Sequence, residues 1–183
     1  MSELPIGRYG GSVCLVATPS DLQRAMQDIS QESVVGFDTE TRPAFRPGES
    51  YLPSLVQFAT ASAVYLLQVQ QHDYSVAMRE IFSSAQLIKA GVSVADDLRN
   101  LKKLVEFEES AVVDLGKVAK RHGLKQTGVR NLAGIFLGMR IPKGAKTTNW
   151  AAPRLTPQQI VYAATDAWAC RELYLRFKQL NLV

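Results

Sequence analysis

The stretch Val34-Val35-Gly36-Phe37-Asp38-Thr39-Glu40 is an apolar run that ends in two carboxylates separated by one residue. Because the run is short, rich in β-branched residues and uninterrupted, it predicts a strand that is buried on both faces. Asp38 and Glu40 are two residues apart, so their side chains should point to the same side of the strand. The motif contains no Lys or Arg to neutralise them, which favours a hard divalent cation, Mg²⁺ or Mn²⁺. A solvated turn or a helix cap is the alternative interpretation of the same pattern.

The segments around this strand predict an α/β fold. Short apolar runs at 13–16, 55–60, 64–67, 87–90 and 112–113 predict strands, and the few small residues that separate 55–60 from 64–67 favour a hairpin. With 34–40 this hairpin would form an antiparallel meander. Periodicity and capping residues predict helices near 19–29, 74–82, 94–104, 128–137 and 157–180, and a further helix that ends at about 122.

The predicted helix 94–104 carries one acid that should be buried and one that should face water. At helical spacing Asp97 shares a face with Leu98, Leu101 and Leu104, whereas Asp96 shares a face with polar and charged residues. Asp96 is explained as an acid in the first turn of a helix. Asp97 has no such explanation, because an acid on an apolar face needs a partner.

The predicted last helix repeats this arrangement. Asp166 lies one turn after Tyr162, on an apolar stripe that continues through Cys170, Leu173 and Phe177. If the acids of the strand end and of the two helices converge, two divalent ions could activate a water molecule and stabilise a departing 3′-oxyanion. Tyr162 could orient that water, or it could be a core tyrosine whose hydroxyl bonds to a carboxylate.

Composition sets further bounds. The 183 residues contain 46% hydrophobic and 21% charged residues and no Gly/Ser-rich linker, which predicts one globular domain over 1–183. The first residues do not show the order of a signal peptide and no apolar run is long enough for a membrane span, so we expect a cytoplasmic protein without a membrane partner. The net charge of +4 permits a nucleic-acid partner without requiring one.

Two basic loops are candidate contacts to such a partner. Arg42 belongs to the long loop 41–54, and Lys146 belongs to the loop 138–150. Both could bind phosphates; solvated surface charges are the alternative for each loop, and the favoured interpretation for 41–54.

Asp38-Thr39-Glu40, Asp97 within Val94 to Leu101, and Tyr162-Ala163-Ala164-Thr165-Asp166 together resemble the three exonuclease motifs of the DEDDy 3′–5′ exonucleases. That family includes ribonuclease D and the exonuclease domain of the Werner-syndrome protein. The resemblance extends to the segments 53–60 and 148–150.

The resemblance implies a ribonuclease-H-like mixed β-sheet, an antiparallel meander plus parallel strands, flanked by helices. It implies that Asp38, Glu40 and Asp166 hold one Mg²⁺ or Mn²⁺ ion and that Asp38 shares a second ion, with Asp97 at or just outside its shell. It further implies that Tyr162 positions the water and that the backbone of Thr39 meets the terminal nucleotide. No small-molecule cofactor is expected.

The expected activity is removal of nucleoside 5′-monophosphates from the 3′ end of a nucleic acid, with DNA slightly favoured over RNA. A ribonuclease D-like enzyme of RNA processing, a ribonuclease-H-like endonuclease and a non-catalytic nucleic-acid-binding module are the alternatives. The motifs carry no information on oligomeric state.

Overall fold

A computed structural model of the chain describes residues 3–183. Its single sheet has six strands in the spatial order β1-β4-β3-β2-β5-β6. Their bounds are β1 Ser12–Leu15, β2 Val34–Glu40, β3 Leu55–Ala59, β4 Ala63–Leu67, β5 Ile88–Gly91 and β6 Val112–Asp114. Strands β2, β3 and β4 pair antiparallel, and the other neighbours pair parallel. The predicted mixed sheet is confirmed, and the strand that ends in the two acids lies in its interior.

Within the described residues six α-helices flank the sheet, and two of them depart from the predicted bounds. The helices are α1 Pro19–Ser30, α2 Ser75–Ser83, α3 Ala95–Leu101, α4 Leu115–Arg121, α5 Val129–Leu132 and α6 Pro157–Gln179. The prediction that α3 extends to residue 104 was wrong. The helix ends at Leu101, because the N–H groups of Lys103 and Leu104 donate to carbonyls three residues back in a tighter turn. The predicted helix 128–137 continues after α5 as a π-helical turn, Ala133–Leu137, which ends at Gly138 in the left-handed conformation.

The two faces of the sheet are covered by different helices. One face packs Val35, Phe37 and Phe58 against residues of α1, α2 and α3. The other face carries α4, α5 and α6. Because successive residues of a strand alternate between these faces, Thr39 points to the side of α3, while Asp38 and Glu40 point to the side of α6.

Helix α6 approaches β2 closely. A Cβ atom at Gly36 would lie 2.0 Å from the carbonyl oxygen of Ala167, so only glycine leaves room for the helix backbone. Ala163, Ala164 and Ala167 are fully buried at the same contact. Thr156 and Gln159 form the capping box that starts α6, as predicted. This close contact carries the acid of α6 to the end of β2.

Within residues 3–183, none of the helices combines the length and apolar character needed to cross a membrane.

Candidate active site

Three carboxylates meet where β2 ends against α6. Asp38 and Glu40 come from β2 and Asp166 comes from α6, and one oxygen of each lies within 4.8 Å of the others. Glu40 and Asp166 are buried, with 7% and 4% of their surface exposed. Carboxylate oxygens so close together are a ligand set that suits a hard divalent cation.

The electrostatics of this cluster favour a bound cation. Burial, then the charges of Asp38 and Asp166, raises the pKa of Glu40 to about 10. Burial, followed by the charges of Asp166 and Asp97, also raises the pKa of Asp38. Burial raises the pKa of Asp166 to about 6, against the opposing effect of Arg130 and Lys146. The Oδ1 atom of Asp166 is buried without a hydrogen-bond partner, which leaves it free to coordinate.

Asp97 reaches the end of β2 from the opposite face of the sheet. Its Oδ1 atom accepts a hydrogen bond of 2.7 Å from the hydroxyl of Thr39, and it lies outside the group of three clustered carboxylates. Asp97 is half-buried, and burial raises its pKa to about 6. Asp96 is exposed and pairs with Arg99 at 2.6 Å. The structure therefore separates the two acids of α3 as the helical spacing suggested.

Tyr162 lies beside the cluster, one turn before Asp166. Its ring is 5.9 Å from that of Trp150, and the guanidinium carbon of Arg130 lies 5.2 Å from its centre. Burial, then the charge of Asp166, raises the pKa of Tyr162. Its hydroxyl therefore stays protonated at neutral pH and can donate a hydrogen bond.

Two polar residues of the site were not singled out from the sequence. Gln57 is fully buried opposite Asp38, and its amide nitrogen lies 3.3 Å from Glu40 Oε1 and 3.3 Å from the carbonyl of Ala163. A polar side chain inside an apolar strand is the signal that would have identified it. Arg130 has no comparable signal, since it lies in a short helix far from the acids in sequence.

The predicted substrate-binding residues lie at different places around the site. Thr39 is buried, and its backbone N–H donates to Asp38 Oδ1 at 2.9 Å. Lys146 is exposed, and its charge acts on Asp166. Arg42 is also exposed, but its guanidinium carbon lies 4.1 Å from the ring centre of Tyr51 within the same loop.

A cavity of about 850 Å³ opens between α6 and the loop before it. Tyr162 lines this cavity, whereas none of the clustered carboxylates does. Arg8 and Arg154 contribute positive charge to its lining. The cavity thus borders Tyr162 without including the clustered carboxylates.

Known proteins are similar to this chain in sequence and fold. Residues 13–180 match the sequence model of a family described as 3′–5′ exonuclease. The mouse (Mus musculus) bifunctional 3′–5′ exonuclease/ATP-dependent helicase WRN is 28% identical over 190 residues, which cover 98% of this chain and 14% of that protein. The chain thus spans only a small part of this relative.

Solved structures show the same fold. The exonuclease domain of Aedes aegypti Nibbler superposes with a TM-score of 0.84 at 23% identity, covering 96% of this chain and 93% of that one. Trypanosoma brucei ribonuclease D in complex with RNA U12 gives a TM-score of 0.80 at 17% identity, covering 91% and 62%. With the sequence match over nearly its whole length, the chain belongs to the 3′–5′ exonuclease family.

Proposed function

We propose that the chain is a metal-dependent exonuclease that shortens a single-stranded or otherwise accessible 3′ end and releases nucleoside 5′-monophosphates. The observation that carries this proposal is the group of three carboxylates, two of them buried, whose oxygens lie within 4.8 Å and one of which has no hydrogen-bond partner. Four acids alone would repel a phosphodiester, so a nuclease with this site needs bound cations. Membership of the 3′–5′ exonuclease family supports the direction of cleavage.

In the proposed mechanism Asp38, Glu40 and Asp166 would hold one divalent cation, and Asp38 would share a second, with Asp97 at the edge of its shell. Two such ions, Mg²⁺ or Mn²⁺, would lower the pKa of the attacking water and neutralise charge at the departing oxygen. The hydroxyl of Tyr162 orients the water for attack on the last phosphorus. The bond to the 3′ oxygen breaks, the nucleotide leaves with its 5′-phosphate, and a new 3′-hydroxyl remains on the strand.

The residues around the acids bind the strand in this proposal. The backbone of Thr39 meets the terminal nucleotide, and Lys146 and Arg42 contact phosphates. For Lys146 a phosphate contact agrees with the effect of its charge on Asp166, whereas Arg42 would first have to move away from the ring of Tyr51. We propose DNA as the slightly better substrate, with RNA as the alternative that the trypanosomal complex with RNA supports.

The test is digestion of matched single-stranded DNA and RNA oligonucleotides labelled at the 5′ end. With Mg²⁺ or Mn²⁺ we expect a ladder that shortens from the 3′ end, and with a chelator no ladder. The faster ladder identifies the preferred sugar. Asp38→Ala and Asp166→Ala should abolish the ladder while the circular dichroism spectrum is unchanged, and full activity of either variant would refute the metal site.

A closed circular strand distinguishes the two enzyme classes. An exonuclease leaves the circle intact, whereas cleavage of it would show an endonuclease. Binding of the oligonucleotides without metal-dependent turnover would instead identify a binding module.

A further inference from the structure

Arg130 of α5 connects three parts of the site. Its Nη2 atom lies 3.7 Å from Asp166 Oδ1 and donates a hydrogen bond of 3.0 Å to the carbonyl of Pro142. Its guanidinium also covers the ring of Tyr162. The side chain of Arg130 is 24% exposed, and that of Asp166 is 6% exposed. A single positive charge therefore lies against both the deepest acid of the cluster and the proposed water-orienting hydroxyl.

The pairing of Arg130 with Asp166 is electrostatic and lacks a hydrogen bond. At 3.7 Å the two atoms are beyond hydrogen-bonding distance. Both Asp166 Oδ1 and Arg130 Nε are buried without any hydrogen-bond partner. A structural arginine–carboxylate pair would use its fork to satisfy such atoms, as in a bidentate contact. This pair instead neutralises charge while leaving the coordinating oxygen uncommitted.

Other basic residues near the cluster are differently engaged. Arg171 is bound to Glu32 at 3.2 Å and to the carbonyl of Val34 at 3.4 Å. Lys146 is exposed on its loop. Among residues 3–183, Arg130 is the basic side chain that forms an ion pair with one of the three clustered carboxylates.

We propose that Arg130 is the internal counter-cation of the site: it neutralises Asp166 in the metal-free protein and competes with a divalent ion for that carboxylate. This inference rests on the proposed metal-dependent function. Two cations cannot approach one carboxylate oxygen without repulsion, so metal binding weakens the contact of Arg130 with Asp166. Arg130 thereby lowers metal affinity while keeping the metal-free cluster folded.

The test is Mn²⁺ binding by isothermal titration calorimetry, without nucleic acid, for wild type and four variants. Arg130→Gln should bind Mn²⁺ about tenfold more tightly, as loss of one partly screened charge interaction predicts. Arg130→Met, whose apolar side chain should still cover the Tyr162 ring, should show the same increase in Mn²⁺ affinity. It replaces Arg130→Gln in the experiment if that variant does not fold. Arg130→Lys keeps the charge and should stay within about twofold of wild type.

Arg171→Gln is the matched control, because it removes an arginine ion pair that involves none of the three clustered carboxylates. It should leave Mn²⁺ affinity unchanged and lower the melting temperature equally with and without metal. In chelator Arg130→Gln should have a lower melting temperature than wild type. Saturating Mn²⁺ should reduce the difference in melting temperature between the two proteins.

Two outcomes would overturn different claims. Equal or weaker Mn²⁺ binding by Arg130→Gln and Arg130→Met would refute the competition between Arg130 and the metal ion for Asp166. Absence of Mn²⁺ binding by every protein, wild type included, would remove the metal site itself and the proposed function with it.

Discussion

At the scale of single residues, the side chain of Thr39 and those of its two neighbours point to opposite faces of the sheet. Its neighbours Asp38 and Glu40 point toward α6, while its own hydroxyl donates to Asp97 on the other face of the sheet. The site therefore consists of three clustered carboxylates and one acid held apart by a threonine. This position agrees with a role for Asp97 at the edge of a metal shell, where an acid tunes the site without being enclosed by it.

The two adjacent acids of α3 give a matched pair of variants. Asp97→Ala should lower the rate of cleavage about 10- to 100-fold, because residues that support metal ligands typically contribute that much. Asp96→Ala should stay close to wild type, since Asp96 pairs with an exposed arginine and such pairs contribute little. The measurement is kcat on a labelled oligonucleotide. A large loss for Asp96→Ala with Asp97→Ala unaffected would reverse the assignment of the helix faces.

Tyr162 makes a separate prediction about its hydroxyl. Tyr162→Phe keeps the ring against Trp150 and removes only the group that would orient water. We expect kcat to fall about 10- to 100-fold with KM nearly unchanged, as for loss of an interaction that matters mainly in the transition state. Steady-state kinetics separates the two constants. A raised KM with unchanged kcat would assign Tyr162 to substrate binding alone.

The sequence identified the acids but not the arginine of this site, for a physical reason. Asp166 and Asp97 interrupt apolar faces of periodic segments, where a charge demands an explanation. Gln57 interrupts a strand in the same way and was recognisable in principle. Arg130 lies in a four-residue helix with no periodic face to interrupt, and only the packing of α5 against α6 brings it to Asp166.

At the scale of elements, the contact between β2 and α6 determines where the acids meet. A Cβ atom at Gly36 would come within 2.0 Å of a helix carbonyl and 2.6 Å of the N–H nitrogen of Arg171. Both atoms belong to the backbone of α6, so neither can make room for a Cβ atom unless the helix moves. The Ala-rich face of α6 was readable from the sequence as a close approach to the sheet, whereas its partner, Gly36, was not.

Gly36→Ala should therefore destabilise the protein by about 3 kcal/mol, at the upper end of the usual cost of overpacking. It should also lower activity, because a displaced α6 moves Asp166 away from Asp38 and Glu40. Gly10→Ala is the control, since no atom lies within 4 Å of a Cβ there, and it should change stability by less than about 0.5 kcal/mol. Urea denaturation measures both. Equal stability of the two variants would contradict the close contact.

The sequence pattern predicts the strands of the meander but not the π-helical turn after α5. Strands β2 to β4 were predictable because each is a short, mostly apolar segment bounded by small or polar residues. The π-helical turn after α5 was not, since its residues continue the helical pattern and only the hydrogen bonding distinguishes the two forms.

At the scale of the whole molecule, two buried ionisable groups oppose each other in their effect on stability. Glu40 is an acid with a raised pKa of about 10. Lys89 is a fully buried base whose pKa burial lowers to about 8, and its Nζ donates to the carbonyl of Ser84 at the end of α2 at 2.6 Å. An acid with a raised pKa binds its proton more tightly in the folded state, so its contribution to the free energy of unfolding falls as pH rises. The contribution of a base with a lowered pKa falls as pH falls.

In chelator the free energy of unfolding should thus fall as pH rises from about 5 to 8, within the window between the unfolded value of 4.5 and the folded value for Glu40. Between about 8 and 10.5 the contribution of Lys89 should rise as its charge is lost. Urea denaturation at each pH measures this. Glu40→Gln should flatten the lower part of the profile. Between about 8 and 10 the rising contribution of Lys89 offsets the falling contribution of Glu40, so Lys89→Met should let the free energy of unfolding continue to fall up to about pH 10. Saturating Mn²⁺ should also reverse the lower slope, because the metal binds the ionised carboxylates. A slope from pH 5 to 8 that is the same in wild type and Glu40→Gln would show that Glu40 is already ionised in the metal-free protein over this range.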